Sequence, residues 1–138
     1  MLDLDLPGLL KEIKALQQQP APKTIVLQFP EGLKINLLDV AGQLEKATGA
    51  EVISVLDPCF GACDLADDKA KVYATDLLIH FGHSRLYHAK VKTLYWPLHY
   101  RIDEAAVERI VERLKELKMK AVSLNAASQY VKDLDRLA

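Results

Sequence analysis

Two thiols four positions apart are the most chemically pointed feature of the sequence, because Asp57-Pro-Cys-Phe-Gly-Ala-Cys-Asp64 carries both of its cysteines. Cys63 falls near the start of a helix expected over Asp64 to Ala74, where the positive helix end favours a thiolate able to ligate iron or zinc. The three-cysteine spacing of common radical iron–sulfur enzymes would need cysteine at position 66, which is Ala66, so that motif is absent. A four-ligand zinc site would need two further thiols or imidazoles, and the nearest, His80 and His83, belong to a separate segment. The simpler reading keeps one or both cysteines as buried small apolar groups.

His80 and His83 flank Phe81-Gly82. On an extended segment positions 80 and 83 face opposite ways, so they share a ligand only if Gly82 breaks the strand. A histidine that ends a strand is commonly a hydrogen-bonded structural residue. His83-Ser84 after glycine also offers polar heads and backbone amides to an anionic or zwitterionic substrate. Glu31, after Pro30, could hold an ammonium group, and Arg85 and Arg101 could bind carboxylates or serve as plain surface charges.

These residues need a scaffold, and the chain alternates helix-like with strand-like segments. Leu9, Leu10, Ile13 and Leu16 mark a helix over 6–16. Strands are expected at 24–29, 51–56, 76–81, 92–96 and 120–124, with helices at 33–48, 64–74, 103–118 and 127–137. Gly49 takes the helix C-cap and Asp103 an N-cap. The alternation requires an α/β fold, a mainly parallel sheet of about four strands flanked by helices. Ligands of such sheets sit beyond the carboxyl ends of the strands, so the loops at Glu31, Cys63 and His83 should converge on one edge.

The 138 residues are 50% hydrophobic and 27% charged, the balance of a globular protein. A net charge of −1 gives no global field for nucleic acid or anionic membrane. No apolar run reaches the length of a spanning helix and the N-terminus lacks a signal peptide's pattern, so the expected location is the cytoplasm.

In order and spacing, Leu27-Gln-Phe-Pro-Glu-Gly-Leu33, Asp57-Pro-Cys-Phe-Gly-Ala-Cys-Asp-Leu-Ala66 and Leu78-Ile-His-Phe-Gly-His-Ser84 resemble the N-terminal domain of the archaeal diphthamide synthase family, the 2-(3-amino-3-carboxypropyl)histidine synthases. The resemblance covers roughly positions 20 to 138 and implies the first of three similar α/β domains. It implies an enzyme that cleaves S-adenosylmethionine with a 4Fe-4S cluster and adds the resulting 3-amino-3-carboxypropyl radical to a histidine of translation elongation factor 2. Each domain would supply one cluster cysteine. The family's Gly-Ala-Cys ligand is Cys63 here, while Cys59 falls where other members often carry another residue.

The sequence holds no cysteine after Cys63, so two further cluster ligands must come from outside it. The expected division is an N-terminal domain over 1–118 and the start of a second, truncated domain over 119–138. The chain alone should then be inactive, and the longer protein a homodimer. His83, Ser84 and Glu31 are the expected substrate-side groups. Two other classes stay open: a zinc or redox module built on Cys59 and Cys63, and a noncatalytic α/β binding domain.

Overall fold

The computed structural model describes residues 2–16, 21–118 and 121–136. Contacts divide the chain into two units, residues 5–97 and residues 1–4 with 98–138.

In chain order the elements are β1 (Leu2–Asp3), α1 (Leu6–Leu16), β2 (Thr24–Gln28), α2 (Leu37–Thr48), β3 (Glu51–Val55), α3 (Asp67–Val72), β4 (Leu77–Phe81), β5 (Thr93–Trp96), β6 (His99–Tyr100) and α4 (Glu104–Glu116). Short 3-10 turns at Glu31–Asn36 and Ala62–Asp64 precede α2 and α3, and a longer one spans Ser128–Arg136.

Unit 5–97 is built on one four-stranded sheet in the order β3-β2-β4-β5, and every pairing in it is parallel. The expected fold class is therefore the observed one. Its strands are apolar on both sides because both faces are covered. Val26 and Leu78 point to the face where α3 brings Ala70, with Leu65, Ala66 and Val55 completing the cluster. Their neighbours Ile25, Leu27, Leu77 and Ile79 point the other way and are equally buried. On the helices, buried Leu9 and Ile13 come from α1, and Leu37, Val40 and Leu44 from α2, which packs on α1 and beside β3.

Local chemistry fixes the ends of the elements. Gly49 closes α2 at φ +72°, in the left-handed region that glycine enters without a Cβ penalty. Asp76, just before β4, accepts hydrogen bonds from the Lys23 and Thr24 amides at 2.7 and 3.0 Å, which ties the start of β2 to β4.

From β2 the chain returns to β3 on one side, and from β4 it goes to β5 on the other. The carboxyl ends of adjacent β2 and β4 therefore flank a point where connections diverge, the usual place for a crevice in open α/β sheets. Gln28 and His80 are the paired residues at that point.

In the other unit, β1 pairs antiparallel with β6, Asp103 caps α4 by accepting from the Ala105 amide at 2.8 Å, and the Tyr100 and Tyr130 rings meet at a tilt. The expected strand at 120–124 is not observed: residues 121–124 pair with no described strand, and strand conformation exists only where a neighbouring ladder accepts it. Lys120 itself lies outside the described residues. The expected tail helix is a 3-10 helix, and the helix expected over 64–74 is split, with Leu65 and Ala66 outside it.

Candidate functional site

The site grows from Gln28, a fully buried amide at the end of an otherwise apolar strand. Its Nε2 donates to the Asp64 carbonyl at 2.6 Å and its Oε1 accepts from the Ala66 amide at 2.9 Å. Those two bonds fix the orientation of the amide, since each end has a partner of one kind only. His80 Nδ1, 2.8 Å from the same Oε1, must therefore carry the proton, which leaves a lone pair on Nε2.

His80 Nε2 in turn lies 3.1 Å from His83 Nδ1. A regular strand would have sent the two rings to opposite faces. Gly82 at φ +83° turns the chain after β4 and brings them together, which is the break the sequence required. His80 Nε2 therefore accepts from His83 Nδ1, and Gln28, His80 and His83 form one directed chain of hydrogen bonds.

Burial, and next the neighbouring His83, push the His80 imidazole down to about 4, so it is neutral at neutral pH. Burial also lowers His83, opposed by the Asp64 carboxylate. The Asp64 carboxylate lies below its ordinary range chiefly because it accepts the Phe60 amide at 2.7 Å; the Gly61 amide at 3.2 Å and the Cys63 thiol at 3.7 Å add to this.

The two cysteines have opposite settings. Cys63 is exposed, whereas Cys59 is sealed, with its thiol pushed up by burial and then by the Asp64 charge. Cys63 sits in the 3-10 turn Ala62–Asp64, ahead of α3, which starts only at Asp67. The helix-end argument for a thiolate at Cys63 therefore fails, because that field fades beyond the first turn. Cys59 Sγ and one ring nitrogen each of His80 and His83 lie within 4.8 Å of one another.

Glu31 bridges the loops after β2 and β3. Its amide donates to the Cys59 carbonyl at 2.9 Å, and its carboxylate meets Lys34 at 2.6 Å and the Cys59 amide at 3.4 Å. Lys34 also donates to the Leu56 carbonyl at 2.9 Å. The ammonium that Glu31 holds is thus the chain's own, and Lys34 pulls its carboxyl below the usual range. Ser84 is exposed next to His83. Arg85 bonds to His88 and the Tyr87 carbonyl within its own turn, and Arg101 pairs with Glu104 at the surface.

Convergence of the three loops is therefore observed through Glu31, Cys59, Asp64, His80 and His83. Gln28, Asp64 and Lys34 were missed by sequence reasoning. Only Gln28 left a signal, as a polar residue interrupting an apolar strand.

The arrangement defines an α/β protein with a thiol and imidazole site at the carboxyl edge of a parallel sheet. Residues 29–138 match the family model described as "Putative diphthamide synthesis protein", and the chain belongs to that family. It is 31% identical over 122 residues to the 2-(3-amino-3-carboxypropyl)histidine synthase of Methanocaldococcus jannaschii, covering 83% of this chain and 35% of that protein. It is 40% identical over 92 residues to subunit 1 of the same synthase from Nematostella vectensis, covering 64% of this chain and 20% of that one. The crystal structure of Dph2 from Pyrococcus horikoshii with a 4Fe-4S cluster superposes with a TM-score of 0.78 at 31% identity, over 99% of this chain and 40% of that one. The chain thus spans a fifth to two-fifths of the length of these three relatives.

Proposed function

We propose that this chain forms the N-terminal part, its first domain over 1–118, of an iron–sulfur enzyme that cleaves S-adenosylmethionine and transfers the 3-amino-3-carboxypropyl group to a histidine of translation elongation factor 2. One observation carries the reading. Of the two cysteines, the exposed one is Cys63, in the Gly61-Ala62-Cys63 turn. A cluster shared between domains needs a thiolate that reaches outward, and Cys63 meets that need while Cys59 does not. The donor set therefore fits as one ligand of three, and two cysteines in all cannot complete it.

When bound, the cluster supplies the electron that breaks a carbon–sulfur bond of the substrate. The chain's own residues position. Asp64 pins the turn that presents Cys63 by accepting the Phe60 and Gly61 amides. Gln28 anchors that turn to β2 through the Asp64 carbonyl. His83 and Ser84 stand on the substrate side, where the Ser84 hydroxyl suits the carboxylate of a methionine moiety and the free Nε2 lone pair of His83 suits its ammonium. Glu31, engaged by Lys34, holds the two loops together.

The longer protein would act as a cytoplasmic homodimer on its protein substrate, with a second domain beginning near residue 119. The test is anaerobic reconstitution with iron and sulfide of the protein that carries this chain with its two further domains. Cys63→Ala should abolish iron–sulfur absorbance and S-adenosylmethionine cleavage, and Cys59→Ala should keep most of both. Wild-type cluster content in Cys63→Ala would overturn the ligand assignment.

A further inference from the structure

Assigning Cys63 to an outward role leaves Cys59 and His80 unused, beside the His83 ring that the substrate side shares. The Cys59 thiol is fully enclosed, and its described hydrogen bond is a 3.9 Å contact with the Gly61 carbonyl, a weak partner for a buried polar group. Facing it are two imidazoles, with one donor atom from each of Cys59, His80 and His83 inside 4.8 Å. We propose that Cys59, His80 and His83 bind a single divalent cation of the zinc class, with the fourth coordination position open.

Geometry supports the fit. Zinc–nitrogen bonds of about 2.0–2.1 Å and zinc–sulfur bonds of about 2.3 Å in a tetrahedron place two nitrogens about 3.3 Å apart, and sulfur and nitrogen about 3.6 Å apart. His80 Nε2 and His83 Nδ1 already stand at 3.1 Å, so shifts of a fraction of an ångström for the nitrogens admit the ion. His80 is also prepared as a ligand. Its Nδ1–H donates to Gln28 Oε1, the outer partner that orients a metal-bound histidine and leaves Nε2 free to coordinate.

The proton balance closes. Cys59 gives up its thiol proton to solvent as the sulfur–metal bond forms, and the proton on His83 Nδ1 passes to its Nε2 when Nδ1 coordinates. A divalent ion with one thiolate keeps a charge of +1, and the Asp64 carboxylate acts on both Cys59 and His83 with the opposite sign. His83 is half-buried and exposed Ser84 follows it, so solvent approaches from that side. Cys63 takes no part, so the site is separate from the cluster ligand and shares only His83 with the substrate side of the proposed function.

The test uses the 138-residue chain, stripped with a chelator and titrated with Zn²⁺ against a chromophoric competitor, then with Co²⁺ as a spectroscopic probe. The expected result is one equivalent bound, with a thiolate-to-cobalt charge-transfer band and tetrahedral d–d absorption. Cys59→Ser should lose the charge-transfer band. His83→Ala, at a half-buried turn that tolerates truncation, should keep native circular dichroism and bind Zn²⁺ about 100-fold more weakly or worse, at least the upper end of what losing an outer partner costs. Cys63→Ala should bind as wild type does. Absence of stoichiometric binding, unchanged affinity in folded His83→Ala, or equal loss in Cys63→Ala would each overturn the proposal.

Discussion

Burial of His80 makes the fold sensitive to mild acid, and the size of the effect follows from its surroundings. The ring is fully enclosed, and burial followed by the nearby His83 lowers it from 6.5 to about 4. The unfolded chain protonates His80 below pH 6.5, while the folded one resists until about 4. Stability contributed by neutral His80 is therefore complete above pH 6.5, declines between 6.5 and 4, and is lost below. At 1.36 kcal/mol for each tenfold change, the loss amounts to about 3 kcal/mol. The assay is urea unfolding between pH 7.5 and 4 with chelator present, for wild type and His80→Gln. Glu31, Asp57 and Asp64 have lowered carboxyl groups, and His83 a lowered imidazole, whose stabilisation also disappears in acid, but both proteins share them. The difference between the two curves isolates His80 and should narrow by about 3 kcal/mol from neutral pH to pH 4. Parallel curves would refute the reasoning.

Three further outcomes are expected. Gly82→Ala places a Cβ at φ +83° and should cost about 1–2 kcal/mol in chemical denaturation, with loss of the His80–His83 hydrogen bond in imidazole nitrogen NMR shifts. Alkylation mapped by mass spectrometry should modify Cys63 about 100-fold faster than Cys59, since exposing a sealed thiol takes a local opening of roughly 3 kcal/mol. Asp76→Ala removes the acceptor for the Lys23 and Thr24 amides and should lower stability by about 1–2 kcal/mol, whereas Asp76→Asn should recover part of it.

The parallel sheet was legible because Ile25, Val26 and Leu27, and likewise Leu77, Leu78 and Ile79, are apolar on both faces and end at proline or glycine. Gly49 and Asp103 announced their caps by residue type alone. Partner-dependent features were less legible. Residues 121–124 have strand composition, yet composition cannot supply a neighbouring ladder. At the site, the motif residues were found, but only the resemblance, and not the residue types, set Cys63 apart from Cys59. Glu31 pairs with Lys34, only three positions away, which a reading for ligands overlooked. Cys59 and Cys63 look alike in sequence, and only the turn at Ala62–Asp64 makes one thiol sealed and the other open. The Gln28–His80–His83 chain depends on register between β2 and β4, information that no local pattern contains.

The proposed function rests on Cys63 serving a transfer reaction in the longer protein. The most direct measurement supplies S-adenosylmethionine labelled in its 3-amino-3-carboxypropyl group and elongation factor 2 to the reduced, reconstituted protein, and follows label into the factor's histidine. Wild type and Cys59→Ala should both label the factor, and Cys63→Ala should leave it at background. Label transfer by Cys63→Ala at the wild-type rate, or none by a wild-type protein holding a full cluster, would contradict the account.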